Sequence, residues 1–247
     1  ELENALWPLF MADGQMQEGF RALMDSNLAY HLKTDFKTMS VYYFFDDMLD
    51  GLSMRGNEKY EKLTEETFWQ LLACGERACR LLEDAKTAES ISGFCYPDES
   101  WQALFGERYL QELQLSARMT RFIGQKGLLA CRIRGDLARE NLSGDDLMEM
   151  IFQIIHRLYD EFCWIRRQFE DVWLLRAKHK GIQTSLSLFD HAGAQMAQTV
   201  RWLALQREAV LRGERADWRL ESYAGAQYEV LWTADFRNMW DRAYPWR

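Results

Sequence analysis

The segment Ser143 to Lys180, SGDDLMEMIFQIIHRLYDEFCWIRRQFEDVWLLRAKHK, constrains this chain more than any other stretch. Leu147, Ile151, Ile154, Leu158, Phe162, Ile165, Phe169 and Val172 follow one another at steps of three and four residues, which puts them on one face of an α-helix. Ser143, ahead of Gly144-Asp145-Asp146, supplies an N-cap hydroxyl, and the aspartates lie over the free N–H groups of the first turn. Arg176, Lys178 and Lys180 suit the carbonyl end of the helix dipole, and Gly181 permits a left-handed stop. At ~1.5 Å per residue the helix is roughly 50 Å long. A compact chain of this size has a radius of gyration near ~18 Å. The helix therefore crosses the whole body, and the other helices have to align beside it.

The rest of the chain fits that demand. Only three prolines, at positions 8, 97 and 245, interrupt 247 residues. Proline breaks helix interiors, so its scarcity is itself a helical signal. Gln15–Leu28 carries Met16, Phe20, Leu23 and Met24 at amphipathic spacing. Met39–Leu52, with the apolar run Val41–Phe45, predicts a short buried helix. Thr64 opens a helix through Phe68, Leu71, Leu72, Ala78, Leu81 and Leu82 that ends near Lys86. A long pattern spans 98–140. Gly124 and Gly127 inside it each cost ~1 kcal/mol against alanine, so they mark a neighbour's close approach or a kink. Gly181–Thr184 reads as an irregular link, Leu186–Arg212 as a further helix and Gly213 as its stop. Glu1–Asp13, Ser53–Glu61 and Ile91–Pro97 read as loop or connector. Arg215–Arg247 is aromatic and less regular, a tail strapped over the bundle. The expected fold is all-α: one domain over 1–247, a bundle of long, mostly antiparallel helices with an irregular C-terminal tail. The start at Glu1, without Met and in mid-pattern, points to a piece of a longer protein.

Composition narrows the function classes. A net charge of −8 and no basic cluster argue against a nucleic-acid surface. No apolar run approaches the ~20 residues of a membrane span, and no signal peptide is visible. The five cysteines (74, 79, 95, 131 and 163) are odd in number, and several fall inside helical patterns. They read as buried thiols in a reducing, cytoplasmic compartment.

Few residues carry chemistry. Asp46-Asp47-Met48-Leu49-Asp50 matches DDxxD, the magnesium–diphosphate motif of class I isoprenoid synthases, whose hard carboxylate oxygens hold Mg²⁺ against pyrophosphate. The second metal motif of those enzymes is missing, and plain helix C-terminal or capping acids are the better explanation of so short a match. There is no HExxH, ExxH or CxxC, and Cys74 and Cys79 are at the wrong step for a shared face. His156 and Asp160 stand one turn apart, as a hydrogen-bonding pair would. Asp145-Asp146 and Glu170-Asp171 lie at helix-start or solvated positions. No cofactor is expected. Trp164 stands among Asp160, Glu161, Arg167 and Gln168, on the polar side of its helix. Either another helix of the domain covers it or it meets a partner.

The stretches QKGLLACRIRGDLARE, HRLYDEFCWIRRQFEDVWLLRAKHKG and SLFDHAGAQMAQTVRWL resemble the C-terminal helical domain that follows the catalytic barrel in a subgroup of family 20 β-N-acetylhexosaminidases. The family's Trp-Leu-x-x-Asn-Lys-Pro-x-Gly element corresponds to Trp173–Gly181, and its Arg-x-Gly-Gly element to His191-Ala192-Gly193-Ala194. Its Asn-Asp-Pro-Leu-Leu-Gly-Leu element corresponds to Asp46–Leu52, which gives the DDxxD match a second origin. Ala177, Met48, His179, His191 and Ala194 depart from the family pattern. The resemblance spans about residues 40 to 212. It implies a non-catalytic accessory domain that buttresses a (β/α)₈ barrel of the parent chain, where the family's catalytic Asp-Glu pair sits, and that contributes to a homodimer. The candidate interface residues are Trp164, Asp47, Lys178 and His191. The competing readings are an isoprenoid-synthase-like enzyme using Asp46, Asp47 and Asp50, and a free-standing helical interaction module.

Overall fold

The computed structural model describes residues 14–31, 41–45, 48–49, 64–85, 99–139, 142–176 and 181–214. Among them there is no strand, and the fold is all-α. The helices are α1 (Gly14–His31), α2 (Val41–Phe45), α3 (Glu65–Glu83), α4 (Glu99–Leu137), α5 (Gly144–Gln153), α6 (Asp160–Arg176) and α7 (Ile182–Leu211). A π-helical segment, Ile154–Tyr159, joins α5 to α6. The tail from 215 onward lies outside the described residues.

The central helix starts as its sequence requires. The Asp146 N–H donates to the Ser143 hydroxyl at 3.1 Å, and the Ser143 N–H donates to the Asp146 carboxylate at 2.8 Å. This reciprocal capping box satisfies two backbone donors that the helix leaves open. The hydrogen bonds from Ser143, side chain and backbone, hold the Asp146 carboxyl below the ordinary aspartate range. The expectation of one uninterrupted α-helix needs correction. For six residues the helix widens into a π segment, flanked by Gln153 and Asp160 in ordinary right-handed angles. Ile154, Leu158, Phe162 and Ile165 are buried all the same, so apolar spacing does not announce the wider turns.

A second correction concerns α7, which begins at Ile182 and not at Leu186. Gly181 takes the left-handed conformation, with φ of 102°. It caps the N-terminus of α7, and Ile182 is at once buried in the core. The other end of α7 closes as expected. Gly213 is left-handed with φ of 71°, the Glu214 N–H donates to the Ala209 carbonyl at 2.9 Å and the Gly213 N–H to the Val210 carbonyl at 2.9 Å. That pair of bonds is the Schellman stop.

Packing follows from small residues at the crossings. A Cβ on Gly124 would stand 2.5 Å from the Leu72 nitrogen, one on Gly75 would stand 2.6 Å from the Arg121 Cα, and one on Gly127 would enter the Phe68 ring. The three glycines let α3 and α4 run antiparallel with their backbones nearly touching. Of the two meanings the sequence left open for Gly124 and Gly127, close approach is the one observed. On its other side α4 runs antiparallel to α6, with Arg121 against Glu161 and Arg118 against Trp164. Helix α7 returns along α5 and α6. Arg207 donates to the Gly144 carbonyl at 3.1 Å near one end, and Arg166 pairs with Asp190 at 2.9 Å near the other. A smaller apolar cluster of Met16, Leu23, Ala78, Leu82, Leu113 and Ala117 seats α1 on α3 and α4.

Candidate functional site

The short helix α2 is the plug of the bundle. Phe44 lies 4.9 Å from Phe122, 5.7 Å from Phe162 and 5.5 Å from Phe189, centroid to centroid, and so touches α4, α6 and α7 at once. One contact is tilted, one stacked and one edge-on, and at such separations the ring quadrupole favours offset and edge arrangements. Lys126, only 2% exposed, donates its ammonium to the carbonyls of Tyr43 at 2.8 Å and Phe44 at 3.0 Å. A cation here satisfies carbonyls that a helix end leaves open. It also sits 5.0 Å from the Tyr43 ring centroid, within cation–π range. Asp46, Asp47 and Asp50 follow directly after this fastened turn but lie outside the described residues, as does Lys178.

Trp164 is half-buried, and its cover comes from within the chain. The Arg118 guanidinium stands 3.9 Å above the indole, and the same side chain reaches Glu161 at 3.8 Å and Glu83 at 3.9 Å. Arg121 donates to Glu161. Burial is the largest influence and works against the Arg121 charge, but the hydrogen bond to Glu161 and the negative charges around it, Glu161 first, together outweigh it and raise its pKa above the ordinary arginine value. This network ties α3, α4 and α6 together around a cavity of about 150 Å³ bordered by Cys79, Gln114 and Gln168. Each cation in it already answers a carboxylate, an arrangement that organises packing more readily than it catalyses. His191 lies half-buried on α7, one residue from the Asp190 that pairs with Arg166. Trp164 and His191 thus sit on different helices.

Other candidates have ordinary surroundings. The His156 Nδ1 and Asp160 Oδ2 are 3.9 Å apart, too far for a hydrogen bond, and the imidazole packs on Phe152 at 4.3 Å. Burial pushes the Cys74, Cys79 and Cys131 thiols up, which keeps them protonated and poorly nucleophilic. Among the described residues no group of three or more His, Cys, Asp or Glu side chains could hold a metal ion. No described helix is long and apolar enough to cross a membrane.

Two surface features escaped the sequence reading. The first is a second apolar stripe on the central helix: Met148, Phe152, Ile155 and Tyr159 recur at steps of four, three and four and are 47%, 52%, 38% and 40% exposed. The stripe passes through the π segment, a distortion frequent at functional sites. The second is a groove of about 910 Å³ over α4, walled by α3 on one side and the α5–π helix on the other. Trp69 of α3, 55% exposed, lines it together with Arg132, Asp136, Gln153 and Arg157. No protein-family model, curated protein or solved structure matches this chain.

Proposed function

We propose that this chain is the non-catalytic C-terminal helical accessory domain of a β-N-acetylhexosaminidase-like glycoside hydrolase, buttressing a catalytic (β/α)₈ barrel of the parent chain in the cytoplasm. The observation that supports this reading best is the exposed stripe Met148, Phe152, Ile155 and Tyr159. Scattered apolar side chains are normal on a surface, but four in register on one helix face form a patch of the kind that marks an interface. The face flanks the seam with α7, where Gly193 packs against Phe162 and Tyr159. A barrel lying against it would cover the stripe and leave the ion-paired network of Arg118, Arg121 and Glu161 as internal bracing. A free-standing interaction module, or a homodimer built on the same face, draws on the same observation.

Hydrolysis of terminal N-acetylhexosamine needs an acid to protonate the leaving oxygen and a neighbour to orient the acetamido group. Among the described residues Asp136, Glu161, Asp190 and Glu214 are engaged by arginines, and Asp146 is engaged by its cap. With the catalytic pair on the barrel, as the accessory reading has it, the purified chain is expected to cleave an aryl N-acetylglucosaminide at the buffer rate. Turnover that follows the protein through purification, and vanishes when one of its carboxylates is neutralised, would refute the accessory role.

A further inference from the structure

We propose that the groove over α4 is a binding site for a short pyranose oligosaccharide, with Trp69 as its stacking platform. This deepens the accessory-domain reading and rests on it only for the choice of first probe. The lining argues for the class of ligand. A pyranose ring has an apolar face of C–H groups and a rim of hydroxyls, each able to donate and to accept. The groove offers the matching pair. Its apolar surface is the exposed Trp69 indole, with Leu72 and Leu128 beside it. Its rim holds forked donors next to acceptors: Arg139 pairs with Asp136 at 3.0 Å, and Arg132 lies 3.8 Å from the same carboxylate.

The charges and the openness of the groove argue against two other classes of ligand. Arg132, Arg139 and Arg157 stand against Glu65 and Asp136 in the lining, on a chain of net charge −8. A nucleic acid needs a larger positive excess. A wholly apolar ligand is held best in an enclosed cavity, whereas this groove is open and carries five charged side chains, Glu65, Arg132, Asp136, Arg139 and Arg157, in its lining. Nearly balanced donors and acceptors beside one bare indole suit a neutral polyhydroxylated molecule. The volume of about 910 Å³ falls within the ~300–1,000 Å³ of small-molecule sites. At Gly135 the groove floor has no side chain, and nothing lies within 4 Å of where a Cβ would stand, so a ring can approach the α4 backbone.

The test is calorimetric and fluorescence titration of the full chain with β-linked N-acetylglucosamine trisaccharide and, separately, with a β-glucan trisaccharide. Saturable binding of at least one is expected. Trp69→Ala should weaken it by at least about tenfold, Trp69→Phe should weaken it less, and Arg132→Ala should weaken it at an unchanged melting temperature. Preference for the amino sugar over the glucan would show which sugar the rim reads. Absence of saturable binding to either sugar, or binding unchanged in Trp69→Ala, would overturn the proposal. Either result would leave the docking of the Met148–Tyr159 stripe untouched, so the two ideas fail separately.

Discussion

Gly124→Leu is expected to lower the unfolding free energy by about 3 kcal/mol, a fall in melting temperature of roughly 6–12 °C. The new side chain would begin 2.5 Å from the Leu72 backbone nitrogen and 2.7 Å from its Cα. A helix backbone cannot yield as the end of a flexible side chain can, so α3 and α4 would have to separate along a crossing that carries both apolar clusters. Gly127→Ala should act in the same direction, because Phe68 is fully buried and its ring has nowhere to turn. Gly135 is the internal control. It lies in the same helix with open space at its Cβ position, and Gly135→Ala should raise stability by ~0.5–1 kcal/mol through helix propensity alone. Thermal melts of the three variants decide the matter. A Gly124→Leu variant that melts at or above the wild-type temperature would mean that the crossing is looser than described.

Lys126→Ala should be costlier still, at about 3–5 kcal/mol. It leaves the Tyr43 and Phe44 carbonyls without the buried donor that now holds them at 2.8 and 3.0 Å, at ~1–3 kcal/mol for each orphaned group, and it opens a cavity besides. Lys126→Met fills that space with an apolar chain and so isolates the hydrogen-bonding part. Denaturant midpoints for the pair, with amide exchange across α2, would show both effects. If Lys126→Met unfolds at the wild-type midpoint, the lysine is not what fastens the plug.

These two sites show what could be read from the sequence and what could not. The glycines at 124 and 127 stood out because helix interiors rarely tolerate them, and Ser143 and Gly213 stood out as caps. Lys126 carried a usable signal that the apolar pattern obscured: it falls four residues after Phe122 and four before Ala130, on the buried stripe of α4. A lysine at that position has to find acceptors inside. The π segment left no trace, since three-and-four spacing is compatible with it. The groove was invisible for a different reason. Trp69, Arg132 and Arg157 come from three helices far apart in the chain, and only tertiary packing brings them to one cleft. The covering of Trp164 was one of two outcomes the sequence left open, but its partner, Arg118, could not be named before α4 and α6 were aligned. Nor did the pattern separate core from surface apolar residues on the central helix. Met148, Phe152, Ile155 and Tyr159 repeat with the same period as the buried stripe, and exposure alone sets them apart.

That exposed stripe carries the central claim, that this bundle serves by docking against a catalytic body. The most direct measurement replaces Phe152 with a photo-crosslinking amino acid in the full polypeptide as its own cell makes it, and maps the adducts by mass spectrometry. The account predicts crosslinks into a (β/α)₈ barrel of the same polypeptide, lost when Ile155 is also changed to glutamate. A Phe152 probe that labels no protein, or only a second copy of this helix, would contradict it.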